Sequence, residues 1–219
     1  MKLKIVVPKT RLGSVVHWLL FVVGIVCLGI YFSSYLYRTA YQIYEGWKFD
    51  RELEESSPAK AEPKLPEKPV ALPSILPDPD RGSVSPVSIR ETIIGRLSIQ
   101  RLHLSAIVEE GVDSATLSRA IGHIPGTAFP GERGNIGIAG HRDTFLRALR
   151  DLRPKDQIDF TTRSGRFHYT VDSLTVVDPA DISVLKSTGR QALTIVTCFP
   201  FNYLGNAPRR YIVHALSVP

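Results

Sequence analysis

Thiols are scarce in this chain: 219 residues carry two cysteines, Cys27 and Cys198. Two cysteines cannot build a disulfide framework, and no cysteine or histidine pair has the spacing of a zinc site, so no metal is expected. Charge of one sign is also lacking. The net charge is +6, and residues 92–219 hold 15 Lys plus Arg against 11 Asp plus Glu, too small a margin to argue for a nucleic-acid partner. There is no internal repeat and no glycine-rich phosphate loop. The string His141-Arg142-Asp143 therefore does not belong to a kinase catalytic loop, whose downstream asparagine is missing as well.

What the chain does have is one long apolar run. Val15 to Leu36 carries no formal charge while His17 is neutral. Twenty-two helical residues reach about 33 Å, enough for a hydrocarbon core of about 30 Å. The run exceeds the apolar core of a signal peptide, and no small-x-small cleavage pattern follows it, which predicts an uncleaved anchor. Lys2, Lys4, Lys9 and Arg11 precede it without an acidic residue, whereas Arg38, Lys48 and Arg51 are diluted by Glu45, Asp50 and Glu52. The basic count favours an N-terminus inside. Tyr31, Tyr35, Tyr37, Tyr41, Tyr44 and Trp47 cluster at the far end, where amphipathic rings meet headgroups. Cys27 then reads as an apolar residue of the span.

The expected organisation follows: residues 1–14 cytoplasmic, 15–36 transmembrane, 37–91 a charged juxtamembrane segment and a proline-rich spacer, and 92–219 a folded domain. The charged segment 45–57 is expected to extend the helix by a turn or two. Eight of the 16 prolines lie between Pro58 and Pro86, among Glu, Lys, Ser and Ala, a composition that predicts an extended stretch without a core of its own.

The folded domain is expected to begin near Thr92. Branched, partly alternating runs predict strands at 94–99, 104–108, 135–139, 157–161, 166–177, 191–197 and 210–216. Asp113 reads as the N-cap of a short helix through Ala120 that Gly122 ends, and a second short helix is expected near 145–150. Many short strands and few helices predict a mainly β domain, a small barrel or sandwich.

The chemistry centres on Thr194-Ile195-Val196-Thr197-Cys198-Phe199-Pro200. Stiff β-branched residues make a strand, and Pro200 stops it within a residue or two of the thiol, beside a loop that a substrate could reach. Cys198 is either a small buried hydrophobe or a nucleophile. Gly137-Ile138-Ala139-Gly140-His141 sets a histidine just past a glycine-flanked strand, and His141 is either structural or a partner for the thiol. His103, His123, His168 and His214 lie in strands or loops with no distinctive frame. Arg209 and Arg210 open an otherwise apolar last strand, either as a solvated end or as a guanidinium beside the cysteine strand.

Together these residues resemble the sortases. That family joins a strand ending in T-L-x-T-C to a histidine at an earlier strand end and to an arginine opening the last strand; the matching residues are 194–198, Gly140-His141-Arg142-Asp143 and Arg210-Tyr211-Ile212-Val213. The resemblance covers about residues 92–219. Ile195 stands where leucine is usual. Within the family the chain looks most like class D, and Asp78-Pro79-Asp80 in place of the Asp-Pro-aromatic lid of pilin-polymerising class C enzymes argues against that class.

The resemblance implies an eight-stranded barrel with short helices and a cysteine transpeptidase acting outside the cytoplasmic membrane. Cys198 would attack an LPxTG-like sorting signal after its threonine. His141 would serve as acid and base, and Arg210 would hold the substrate backbone or the developing oxyanion. Thr197 would add a donor near the same oxygen, and the loop 178–189 would form the floor for the signal. The implied partners are proteins with a C-terminal LPxTG-like signal, an amine acceptor in the cell envelope, and membrane lipid around residues 15–36. A hydrolytic cysteine peptidase using the same pair, or a non-catalytic tethered β domain, are the rival readings.

Overall fold

A computed structural model describes residues 11–56, 93–187 and 189–218. The proline-rich stretch, Asp78-Pro79-Asp80, Thr92 and most of the cytoplasmic segment lie outside the described residues. Helix α1, Arg11–Ser56, is continuous. Its apolar part, of mean hydropathy 2.4, is long and apolar enough to cross a membrane. Trp18, Leu19, Leu28 and Phe32 are exposed, as is Cys27, and a helix that shows apolar side chains all round has lipid as its natural solvent.

Eight strands close into a barrel. They are β1 (Ile93–Ile99), β2 (Leu104–Glu110), β3 (Ile121–His123), β4 (Asn135–Ala139), β5 (Gln157–Thr162), β6 (Gly165–Val177), β7 (Ala192–Phe199) and β8 (Arg209–Ser217). Their order around the wall is β1-β2-β3-β4-β7-β8-β6-β5. The pairs β2·β3 and β4·β7 are parallel and the others antiparallel. The period of two puts Leu97, Ile99, Ile136, Ile138, Ile158, Phe160, Leu193, Ile195, Val213 and Ala215 inside, where they form the main core.

Seven of the strands stand where alternation predicts them. The eighth, β3, overturns the reading of Gly122 as a helix terminator. Helix α2, Ser114–Arg119, starts as expected, with the Asp113 carboxylate accepting from Ala115 N and Thr116 N, but it ends at Ala120 and the chain goes straight into β3. Hydrogen bonds from Thr116 hold the Asp113 carboxyl below the usual carboxylate range. Gly122 is glycine because a Cβ there would lie 2.1 Å from the Gly111 carbonyl oxygen.

The last turns of α1, from Gln42 onward, belong to the same compact unit as the barrel. They cover the outer face of β1 and β2. Phe49, 2% exposed, packs with Ile93 and Ile107 in a second apolar cluster flanked by Leu53. Arg96 grips the helix through Asp50 at 2.7 and 3.0 Å and through the Gly46 carbonyl at 2.7 Å. The Gln42 amide donates to Arg119 O at 2.7 Å and accepts from Ile107 N at 2.9 Å. Arg163 donates to Glu52 Oε2 at 2.9 and 3.0 Å and, through Nη1, to the Ile93 carbonyl at 3.2 Å. These residues were read as charged juxtamembrane helix, yet they bury a face of the barrel.

Phe49→Ala measures that contact. A buried phenylalanine truncated to alanine costs about 3 kcal/mol at the low end, so the full chain should unfold roughly 6–12 °C lower. An unchanged unfolding temperature would mean that the helix contributes no stability to the barrel.

Candidate active site

The ladders of β4, β7 and β8 bring the three sequence candidates to one end of the barrel. In the antiparallel pair β7·β8, Cys198 stands directly opposite Arg210, and Thr197 opposite Tyr211. In the parallel pair β4·β7, Ala139 stands beside Val196, and Gly140 N donates to Val196 O at 3.2 Å. His141 follows Gly140 directly, two residues past the end of β4. The core residues Leu193 and Ile195 point inward, so Cys198 and Arg210, of opposite parity, lie on the outer face of the wall with Val196 and Ile212. Cys198 is half-buried, Arg210 is half-buried and His141 is exposed.

Several contacts set this end of the barrel. The Thr197 side chain is buried, and its hydroxyl donates to the Gly140 carbonyl at 2.8 Å. That bond ties the histidine segment to the cysteine strand. A side chain at Gly140 would force the core to shift, because a Cβ would lie 2.8 Å from Leu146 Cδ1 and 2.9 Å from Ile121 Cγ2. Below the thiol, Phe199 stacks on Tyr211 with centroids 6.1 Å apart, and Phe201 meets Tyr211 edge-on at 5.2 Å. Burial in this cluster raises the Tyr211 phenol above its ordinary pKa. Arg210 itself turns toward the end of its own loop, with Nη1 at 3.2 Å from Arg209 O and 3.4 Å from Ala207 O.

The loop between β6 and β7 is fastened to the same outer face. Asp181 opens a 3₁₀ turn, Ile182–Leu185, and accepts from Ser183 N at 3.0 Å and from the Ser183 hydroxyl, which together hold its carboxyl below the usual range. Behind the turn, Asn135 Nδ2 donates to Val184 O at 3.1 Å. The Thr194 hydroxyl donates to Asn135 Oδ1 at 2.8 Å and faces His214 Nδ1 at 3.0 Å. Because that hydroxyl proton goes to Asn135, His214 must supply the proton of its own bond. Burial lowers the His214 pKa, with Asp172 opposing. Sequence reasoning missed this network; its signal was the shared outward parity of Thr194 and His214 on neighbouring strands.

The remaining histidines separate cleanly. His123 is 0% exposed, with Nδ1 at 2.7 Å from Glu110 Oε2, Nε2 at 3.0 Å from Ala128 O, and the ring 4.6 Å from that of Phe129. It is a framework residue fixing the loop after β3. His168 is exposed and pairs with Asp159 across β5·β6, at 2.7 Å.

Known proteins share this fold. The sortase domain matches residues 97–218. Sortase D of Bacillus subtilis is 34% identical over 125 residues, which cover 57% of this chain and 63% of that protein, just under two thirds of its length. Sortase A of Bacillus anthracis is 25% identical over 212 residues, 94% of both chains. Among solved structures, the Sortase D5 transpeptidase of Clostridium perfringens superposes with a TM-score of 0.53 at 32% identity, over 58% of this chain and 79% of that one. Sortase A from Corynebacterium diphtheriae gives 0.55 at 29% identity, over 59% and 62%. With a closed eight-stranded barrel and a family match over residues 97–218, the chain belongs to the sortase family, a family of cysteine transpeptidases, and class D members are among its relatives.

Proposed function

We propose that this protein is a membrane-anchored cysteine transpeptidase that cleaves an LPxTG-like sorting signal after its threonine and passes the protein to an amine acceptor in the cell envelope. The supporting observation is that Cys198, Arg210 and the segment ending in His141 share one end of three adjacent strands. In the first step the Cys198 thiolate attacks the threonine carbonyl, and the carbon–nitrogen bond breaks as His141 protonates the departing amine. In the second, His141 takes the proton of the incoming amine, the new amide forms, and the thiolate leaves. Arg210 would stabilise charge on the carbonyl oxygen in both tetrahedral states. Thr197, whose hydroxyl is committed to Gly140, would serve through its position rather than that hydroxyl.

Residues 15–36 would span the cytoplasmic membrane with the N-terminus inside, and residues 92–219 would act outside it, braced by the helix from Gln42. Incubation with LPxTG-like peptides, with and without an amine acceptor, tests the whole scheme. Transfer product in the presence of amine, with a thioacyl adduct on the peptide containing Cys198, is expected. Hydrolysis alone under both conditions would point to a peptidase, and a chain inert to every peptide would point to a tethered β domain.

The two adjacent arginines can be told apart. Arg210 shares its outward parity with Cys198, while Arg209 is exposed and pairs with Phe199. Arg210→Lys keeps the charge and loses the planar fork, so turnover should fall at least about tenfold, whereas Arg209→Lys should stay near wild type. A loss at Arg209 with Arg210 unaffected would reverse the assignment.

A further inference from the structure

The loop Pro200–Pro208 begins two residues after Cys198 and ends two residues before Arg210, so any shift in it is felt at both. Prolines stand at its two ends, Pro200 and Pro208, but between them it includes Asn202, Gly205 and Asn206, and its tip presents Leu204, which is 97% exposed. Its flanks are anchored by Phe201 on Tyr211 and by Arg210 Nη1 on Ala207 O, while its tip is held by a side chain of the histidine segment. Arg142, the residue after His141, donates from Nη2 to Tyr203 O at 2.6 Å and to Gly205 O at 3.1 Å, and its guanidinium lies 5.8 Å from the centroid of the Tyr203 ring. A single cation thus joins the histidine segment to the loop that links the other two site residues. The bonds run to backbone carbonyls, so they fix the path of the loop whatever its side chains do.

Arg142 is poorly explained as a stabilising residue. Its Nη1 is buried with no acceptor among the described residues. A guanidinium placed for stability would have its donors paired, since a buried donor without a partner is unfavourable. Arg142 is only half-buried, and a partly exposed cation contributes little to stability, so an apolar side chain of similar size should be tolerated there.

Resting on the transpeptidase reading above, we infer that Arg142 is a positioning residue that clamps the Pro200–Pro208 loop against the His141 segment and thereby keeps water from the thioacyl carbon while the acceptor amine arrives. The clamp acts on the geometry of the second step. It touches neither the thiol nor the scissile bond.

The test compares Arg142→Met and Arg142→Lys with the wild-type full-length chain in detergent, on one sorting peptide with one amine acceptor. For Arg142→Met the unfolding temperature should move by less than about 4 °C. Its kcat/KM should fall about tenfold, the effect of losing charge-assisted hydrogen bonds, and the ratio of transfer to hydrolysis should fall at least about threefold. Amide exchange in residues 201–207 should speed up. Arg142→Lys, whose ammonium can still reach two carbonyls, should recover most of the product ratio. An unchanged product ratio in a folded Arg142→Met protein would overturn the inference, as would a Lys variant no better than Met. If Arg142→Met proves unfolded, Arg142 is a stability residue and the inference falls. A wild-type chain that makes no transfer product at all would instead remove the reading on which it rests.

Discussion

Cys198→Ala is expected to reduce both cleavage and transfer by at least about 10⁴-fold, to the level of peptide alone, while the barrel unfolds within a few degrees of wild type. The activity loss follows from chemistry: alanine offers no electron pair to the threonine carbonyl, and no other side chain in the described site could take up the acyl group. The small structural effect follows from position. The thiol is half-buried, at the penultimate residue of β7, and its removal leaves the inward residues Ile195 and Thr197 in place. Intact mass spectrometry of the wild-type chain during turnover completes the measurement. The adduct must map to Cys198, because the only other cysteine, Cys27, sits in the apolar helix. Residual turnover in Cys198→Ala within tenfold of wild type would rule out thioacyl chemistry at this residue.

The second large effect is at His141. His141→Ala should lower kcat/KM at least about 10²-fold, the lower range for losing general acid and base assistance, and should flatten the pH dependence of turnover. The exposed imidazole carries little packing, so the unfolding temperature should hardly change. Two other histidines calibrate the result. His168→Ala removes an exposed pair with Asp159 and should leave turnover near wild type. His123→Ala removes a fully buried ring that engages Glu110 and Ala128, so it should lower the unfolding temperature while surviving folded protein keeps its pH profile. A flattened profile in His123→Ala, with His141→Ala unaffected, would exchange the roles.

How much of this was legible beforehand can be judged from particular residues. Cys198, His141 and Arg210 were picked out because turn residues and strand ends mark them locally: Pro200 after the thiol, glycines before the histidine, arginines at the start of a branched run. Their proximity was not legible from the residues alone. The β4·β7 ladder pairs Ala139 with Val196, two positions distant in sequence, and no local pattern encodes a parallel register. Only the resemblance to the family supplied it. The strand β3 was missed because three residues containing a glycine give no periodicity, and the steric reason for Gly122 lies in the Gly111 carbonyl, which only the folded chain brings near. The docked end of α1 was missed for a different reason. Its apolar contacts, Phe49 and Leu53, are sparse and flanked by charges that turned out to be bonded to Arg96 and Arg163.

Arg163 has one more consequence. Its single guanidinium binds Glu52 near the end of α1 and the carbonyl of Ile93, where the barrel begins. The end of α1 and the start of β1 therefore meet at one patch of the domain surface, and in the order of the chain residues 57–92 are an insertion between them. The distance from Gln42 to the thiol is then set by the barrel wall and is independent of how many residues the insertion holds. Doubling its length would add only the loop-closure term of about 0.6 kcal/mol, leaving the reach of the thiol unaltered. Evolution is thus free to lengthen, shorten or recompose that stretch without retuning where the enzyme meets its substrates.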